Sequence, residues 1–222
     1  MKKMLTTMVA VAMMLAFSLD ANAQFRKREN NRVPDRFHMG LRAGFTASSV
    51  TGDLDKIYGN DDYVKSLLFP YGGLALDFQV APIPIFVGIG LNYMNMGMKF
   101  EYEDRHYSYS ETYDSHSVQL PITVQYHLNL APNLFLQPFL GGWVAYDCTD
   151  IDEDKKDKGW NDDRFDYGLR VGCGLNFGRL YFDLGYDYGL KNWFDSDGYH
   201  EKYSLHRGIF FMTLGFNWAG SR

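Results

Sequence analysis

The chain has 222 residues, a formal net charge of −5, 46% hydrophobic and 17% aromatic residues, 22 glycines and two cysteines. The mildly acidic balance excludes nucleic acid as a partner, and two cysteines are too few for a disulfide framework. A mean hydropathy of −0.30 excludes a bundle of membrane helices but not a membrane barrel, in which only alternate residues are apolar.

At the start, Lys2 and Lys3 precede an apolar run over residues 4–19 that ends in Ala21-Asn22-Ala23. This is the pattern of a signal peptide: a basic start, a stretch too short to span as a helix, and a small-x-small cleavage site. Residues 1–23 are therefore expected to be removed on export. Residues 24–36 are polar, basic and unpatterned, and are read as a disordered periplasmic lead-in. The remainder, 37–218, forms one domain.

Its strands follow from a side-chain period of two. Residues 37–47 set Phe37, Met39, Leu41, Ala43 and Phe45 against His38, Gly40, Arg42, Gly44 and Thr46. Residues 74–80 and 85–93 continue the alternation, joined by a proline-broken link at 81–84. After Tyr93 the phase slips toward Met94, Met96, Met98 and Phe100, which predicts a bulge near Asn95 or a strand that has left the bilayer. Residues 117–128 alternate most cleanly, with Val118, Leu120, Ile122 and Val124 on one face; Pro121 on the other predicts a local break in pairing. A turn at 129–133 leads into a strand over 134–146.

Residues 165–191 read as one long hairpin around a Gly178-Arg179 turn. That turn sets Arg170 opposite Asp187, Asp166 opposite Lys191, Leu169 opposite Tyr188 and Cys173 opposite Leu184. One face is apolar, with aromatic residues near both strand ends. The other mixes paired charges with Gly168, Gly172, Gly174, Gly185 and Gly189. Glycine on a water-facing strand costs stability and gains nothing, whereas a narrow closed lumen has room for little else. The apolar face therefore points at lipid. A last strand from about residue 207 carries Phe210, Met212, Leu214, Phe216 and Trp218 on that face.

The expected fold is all-β: an eight-stranded antiparallel up-and-down transmembrane β-barrel preceded by a cleaved signal peptide. Its connections alternate between tight turns (81–84, 129–133, 178–179) and longer, charged loops (52–66, 103–112, 149–163, 193–204). Short periplasmic turns and long outer loops are the bacterial outer-membrane rule, which puts both termini in the periplasm.

Four stretches, residues 88–100, 117–128, 165–192 and the closing Phe210-Phe211-Met212-Thr213-Leu214-Gly215-Phe216-Asn217-Trp218, resemble the PorT-like outer-membrane β-barrel family of Bacteroidetes. That resemblance implies a barrel without a defined activity and, from the family's namesake, an accessory part in protein secretion. Many such chains end on an aromatic residue, whereas this one continues through Ala219-Gly220-Ser221-Arg222.

Eight charged residues are expected inside the lumen: Arg42, Asp77, Asp166, Arg170, Asp183, Asp187, Lys191 and Arg207. They are read as a structural ion-pair network rather than an ion path, because an eight-stranded barrel is just wide enough for side chains. Leu120, Ile122, Val124, Leu169, Val171, Leu184, Tyr186, Met212 and Leu214 are expected to face lipid. Asp150, Asp152 and Asp154 open like a calcium loop, but Lys155 and Asn161 stand where an EF-hand needs Gly and Glu, leaving at most loose surface binding. His106, His116, His200 and His206 lie in or beside the long loops, with Ser115 and Ser117 near His116; no base, nucleophile and orienting group fall into a catalytic signature. Cys148 near a rim and Cys173 down the next strand are expected to stay unpaired. The tyrosines 102, 107, 109, 113, 199 and 203 suit either an adhesive surface or strand extensions above the membrane.

The function expected is that of a non-enzymatic integral outer-membrane barrel with a filled lumen, serving envelope structure or surface interaction through its loops. A secretion accessory is the runner-up and a lipid-modifying rim enzyme the third reading. No cofactor is expected. The expected partners are outer-membrane lipid and lipopolysaccharide, the barrel assembly machinery, and other envelope or secretion proteins.

Overall fold

The computed structural model describes residues 37–52, 64–80, 83–104, 107–113, 115–149, 164–192 and 204–219. The expected signal peptide, the lead-in segment and Asp150, Asp152 and Asp154 lie outside these residues.

The strands are β1 (Phe37–Gly52), β2 (Val64–Lys65), β3 (Leu67–Gln79), β4 (Ile85–Asn95), β5 (Met98–Asp104), β6 (Tyr107–Tyr113), β7 (His116–Tyr126), β8 (Leu128–Ala131), β9 (Leu134–Asp147), β10 (Phe165–Phe177), β11 (Leu180–Gly189) and β12 (Leu205–Ala219). Eight of them, β1, β3, β4, β7, β9, β10, β11 and β12, pair antiparallel in chain order, and β12 returns to β1 to close a barrel. Closure leaves no open edge in this wall, as hydrocarbon demands of a sheet. At one end of the barrel the connections are tight turns. At the other, β2, β5 and β6 form a separate three-stranded sheet. We call these the turn end and the loop end.

The β10–β11 hairpin pairs Arg170 with Asp187, Leu169 with Tyr188 and Cys173 with Leu184, the register set by its turn. Gly178 supplies the positive φ (60°) that turn requires. At the β8–β9 turn, Asn133 takes the same left-handed conformation, with φ 64°.

The two faces are sorted opposite to a water-soluble sheet. Outward positions are apolar and exposed, with Leu214 at 68%, Leu140 at 59% and Val124 at 55% of full accessibility, while inward Gln119 and Asp187 are at 0%. Outward aromatics gather toward the ends: Tyr93, Tyr146, Phe165 and Tyr167 near the loop end, and Phe78, Phe177, Phe216 and Trp218 near the turn end. From Phe165 to Phe177, β10 rises ~30 Å along the axis, given about 3.3 Å per residue and a tilt of about 40°. That matches an outer-membrane hydrocarbon band with its girdles.

Four details depart from the sequence reading. First, β3 begins at Leu67 rather than 74, because Pro70 and two glycines masked its alternation; Tyr71, Gly73 and Asp77 still take the inward phase. Second, residues within the expected 103–112 loop form the β5–β6 hairpin, which carries Tyr102, Tyr107, Tyr109 and Tyr113 as strand residues. Third, the turn expected over 129–133 is shortened by β8, which pairs Leu128 with Leu136. Fourth, the break near Asn95 is not a bulge, since the β4–β7 register is unshifted through Asn95–His116; the alternation stops there because β4 ends and the chain leaves the wall. Met94 keeps the inward phase of β4 and is fully buried; it looked out of phase because its lumen position is apolar.

Candidate functional site in the barrel interior

The charged lumen residues sit where β1, β3, β10, β11 and β12 turn their polar phase inward. Arg42, Asp77, Asp166, Arg170, Asp183, Asp187, Lys191 and Arg207 are all buried, four cations against four carboxylates.

Arg170 and Asp187 form the centre. Arg170 Nε donates to Asp187 Oδ1 at 2.7 Å and Nη2 to Oδ2 at 2.6 Å, a bidentate fork. Gln119 from β7 closes the ring: its Oε1 accepts from Arg170 Nη2 at 2.7 Å and its Nε2 donates to Asp187 Oδ2 at 2.9 Å. Phe211 covers the guanidinium, 4.4 Å from its ring centre. Toward the turn end, Arg42 Nη1 donates to Asn217 Oδ1 at 2.9 Å and its guanidinium lies 4.0 Å from the centre of the Tyr181 ring. Thr213 donates to Asp183, and Gln125 Nε2 to Asp77 Oδ1 at 2.7 Å.

Toward the loop end a third strand joins the charged set. Asp166, expected opposite Lys191, forms an ion pair with Arg207 of β12 at 3.4 Å. Lys191 Nζ donates to the Phe165 carbonyl at 2.8 Å. The hairpin register persists past Gly189, with Leu190 N donating to Tyr167 O at 2.9 Å, and Arg207 approaches Asp166 from one strand further round.

The lumen also holds large apolar groups that the alternation did not reveal. Phe139 and Trp143 of β9, Tyr181 of β11 and Phe211 of β12 point inward and are buried. Their space comes from glycines on neighbouring strands. Gly172 faces Phe139, Gly168 faces Trp143 and Gly185 faces Phe211 directly across the ladder, while the Tyr181 ring lies over Gly174, offset along β10. A Cβ on Gly185 would lie 2.2 Å from Phe211 Cζ, and one on Gly172 2.4 Å from Phe139 Cζ. The glycine-rich face is thus a row of slots for rings from neighbouring strands. An aromatic residue opposite a glycine was the available signal, but it needs the register of strands that no tight turn joins.

Among the described residues, packed side chains lie across both ends. At the turn end, Phe86 stacks on His127 with ring centres 3.7 Å apart, and His38 lies against both. At the loop end, the segment from Asn95 to Gly97 folds inward. β3 separates β4 from β1 in the wall, yet Thr46 and Ser48 of β1 donate to the Asn95 and Gly97 carbonyls. Met96 between them is fully buried in a cluster with Tyr71, Met94, Trp143, Ala145 and Ile209, and Arg207 Nη1 lies 3.0 Å from its sulfur.

The rim offers no catalytic pair among the described residues. His116 points outward, where Tyr93 Oη lies 3.0 Å from its Nδ1, while neighbouring Ser117 points inward and is buried. Ser115 donates to Asp147 Oδ2 at 2.5 Å rather than to an imidazole. His206 lies against Tyr188; His106 and His200 fall outside the described residues. Cys148 and Cys173 are free, exposed thiols. The nine residues expected to meet lipid, Leu120, Ile122, Val124, Leu169, Val171, Leu184, Tyr186, Met212 and Leu214, all take the outward phase of their strands.

Among solved structures, the chain is similar to outer membrane protein OprG from Pseudomonas aeruginosa, at 14% identity and a TM-score of 0.48, over 83% of this chain and 97% of that one. It is similar to Ail, the attachment invasion locus protein of Yersinia pestis, at 16% identity and 0.41, over 82% and 99%. Neisserial surface protein A follows at 11% identity and 0.38, over 80% and 96%. No curated protein sequence matches the chain significantly. A family profile described as "Outer membrane protein beta-barrel domain" matches residues 22–195. With most of its length matched and its wall closed with apolar residues outward, the chain belongs to the outer membrane protein β-barrel domain family, and its place is the outer membrane.

Proposed function

We propose that this outer-membrane protein is a non-enzymatic, non-conducting barrel that serves envelope structure or surface interaction, with its loop end as the working surface. The observation that carries this reading is the filled interior: an aromatic–imidazole stack below, a closed Arg170–Asp187–Gln119 ring in the middle, and the Met96 segment above. A barrel built to pass solute would not spend its core on these contacts. Among the described residues the loop end carries a separate sheet, β2–β5–β6, and is the side we assign to the cell exterior. Lipid and lipopolysaccharide are then the partners of the outward face, and envelope proteins those of the loops.

Single molecules in planar bilayers should give no conductance steps; stable openings would overturn the reading. Orientation has its own test. A membrane-impermeant maleimide applied to intact cells should label Cys148 at the loop-end rim and leave Cys173, in the wall opposite Leu184, unlabelled. Labelling of Cys148 only after the outer membrane is broken would reverse the assignment. The secretion role implied by the PorT-like resemblance requires co-purification of secretion components with the detergent-extracted native protein.

A further inference from the structure

The β4–β7 ladder of the barrel wall has a seam. Between β4 and β7 the ladder runs from Ile85–Tyr126 to Ile89–Ile122 and resumes at Asn92–Gln119 in the same register, leaving out Gly90–Pro121 and Leu91–Leu120. On its other side β7 stays paired through Pro121–Trp143. The flanking bonds fix the phase of the ladder: His127 N donates to Pro84 O at 2.8 Å and Met96 N to Ser115 O at 2.7 Å. In an antiparallel pair, hydrogen-bonded positions alternate, so even-numbered β4 residues turn both backbone groups toward β7. Gly90 is one of them. The donor it would meet across the ladder is the amide of Pro121, and proline has no N–H. The Gly90 carbonyl thus lies at mid-wall, in hydrocarbon, without its ladder donor.

Behind the seam is a cavity of about 60 Å³ that touches Gly90 and Pro121. Asn92, Thr123, Gln125 and Arg42 are among the polar residues lining it. A water site needs a polar wall with two to four partners and room for at least one molecule, and this cavity has both. Gly90 has no side chain to fill it, since a Cβ there would lie 2.8 Å from Pro121 Cγ.

We propose that this cavity is a binding site for resident water, in which a bound molecule donates to the Gly90 carbonyl in place of the missing Pro121 amide and bonds on to the lumen side chains. Backbone polar groups at this depth must be satisfied within the protein, and the site makes the proline tolerable in a membrane wall.

The test uses the full barrel in lipid nanodiscs, with water-to-amide magnetisation transfer and hydrogen exchange read at Gly90 and Asn92. The wild type should show water cross-peaks at both. Pro121→Ala, which restores the N–H, should remove the Gly90 cross-peak and slow exchange of the Gly90 amide about tenfold, the equilibrium worth of one net hydrogen bond. A wild type without cross-peaks, or cross-peaks unchanged in the variant, would show a dry seam and overturn the proposal. Should the alanine variant not insert, Pro121→Gly supplies the same N–H with no added side chain and is read by the same two outcomes.

Discussion

Replacing Asp187 by alanine should cost about 3–5 kcal/mol and leave most of the protein unable to reach the compact, heat-modifiable form. Asp187 is fully buried and accepts two bonds from Arg170 and one from Gln119. Its removal leaves the Arg170 guanidinium in the lumen without its bidentate carboxylate. The penalty is that of a stranded charge rather than the lost attraction of the pair. Replacing the whole set by apolar residues of similar volume, as in Arg170→Met with Asp187→Leu and Gln119→Leu, should therefore restore stability to within about 1–2 kcal/mol of wild type. Gln119 has to change with the pair, because its amide would otherwise keep two unmet bonds. Urea unfolding from lipid vesicles, followed by tryptophan fluorescence, measures both variants. A folded Asp187→Ala barrel that conducts ions would instead give these residues a transport role.

Leu184→Arg should destabilise the barrel by about 2–4 kcal/mol, the depth-dependent cost of a cation on the lipid face near the bilayer midplane. Leu184 sits mid-strand in β11, outward, between Cys173 of β10 and Met212 of β12. The same exchange at an exposed position in water changes stability by no more than about 0.5 kcal/mol, so the experiment separates a lipid-facing wall from a soluble carrier with the same alternation. Refolding yield into vesicles against urea is the readout. An arginine tolerated at Leu184 would remove the basis for placing this face in the membrane.

Several features were legible in the residues before any fold was known. The alternation over residues 165–191 and the two-residue turn at Gly178 determine the β10–β11 register, because a hairpin turn leaves the strands no freedom to slip. The same period separates Leu184 from Gly185 and so names the lipid face. Pro121 announces a break in pairing, which occurs on the β4 side alone. Such properties are local: each follows from a residue, its neighbours at i±2, and one turn.

The rest required the closed ring. Met94, Trp143, Ile209 and Phe211 are as apolar as the residues that meet lipid, so hydropathy assigns them no side. They are inward because closure continues the phase of β4, β9 and β12, and because Gly168 and Gly185 lie across from two of them. Arg207 joins Asp166 from outside the β10–β11 hairpin because β12 is brought alongside β11 at the loop end. The Met96 segment reaches β1 only because the wall curves round to meet it. Sequence by itself determined the period, the hairpin and the faces, since these are set by neighbours along the chain. The contents of the lumen were decided by the tertiary structure, since they depend on which strands closure brings face to face across the barrel.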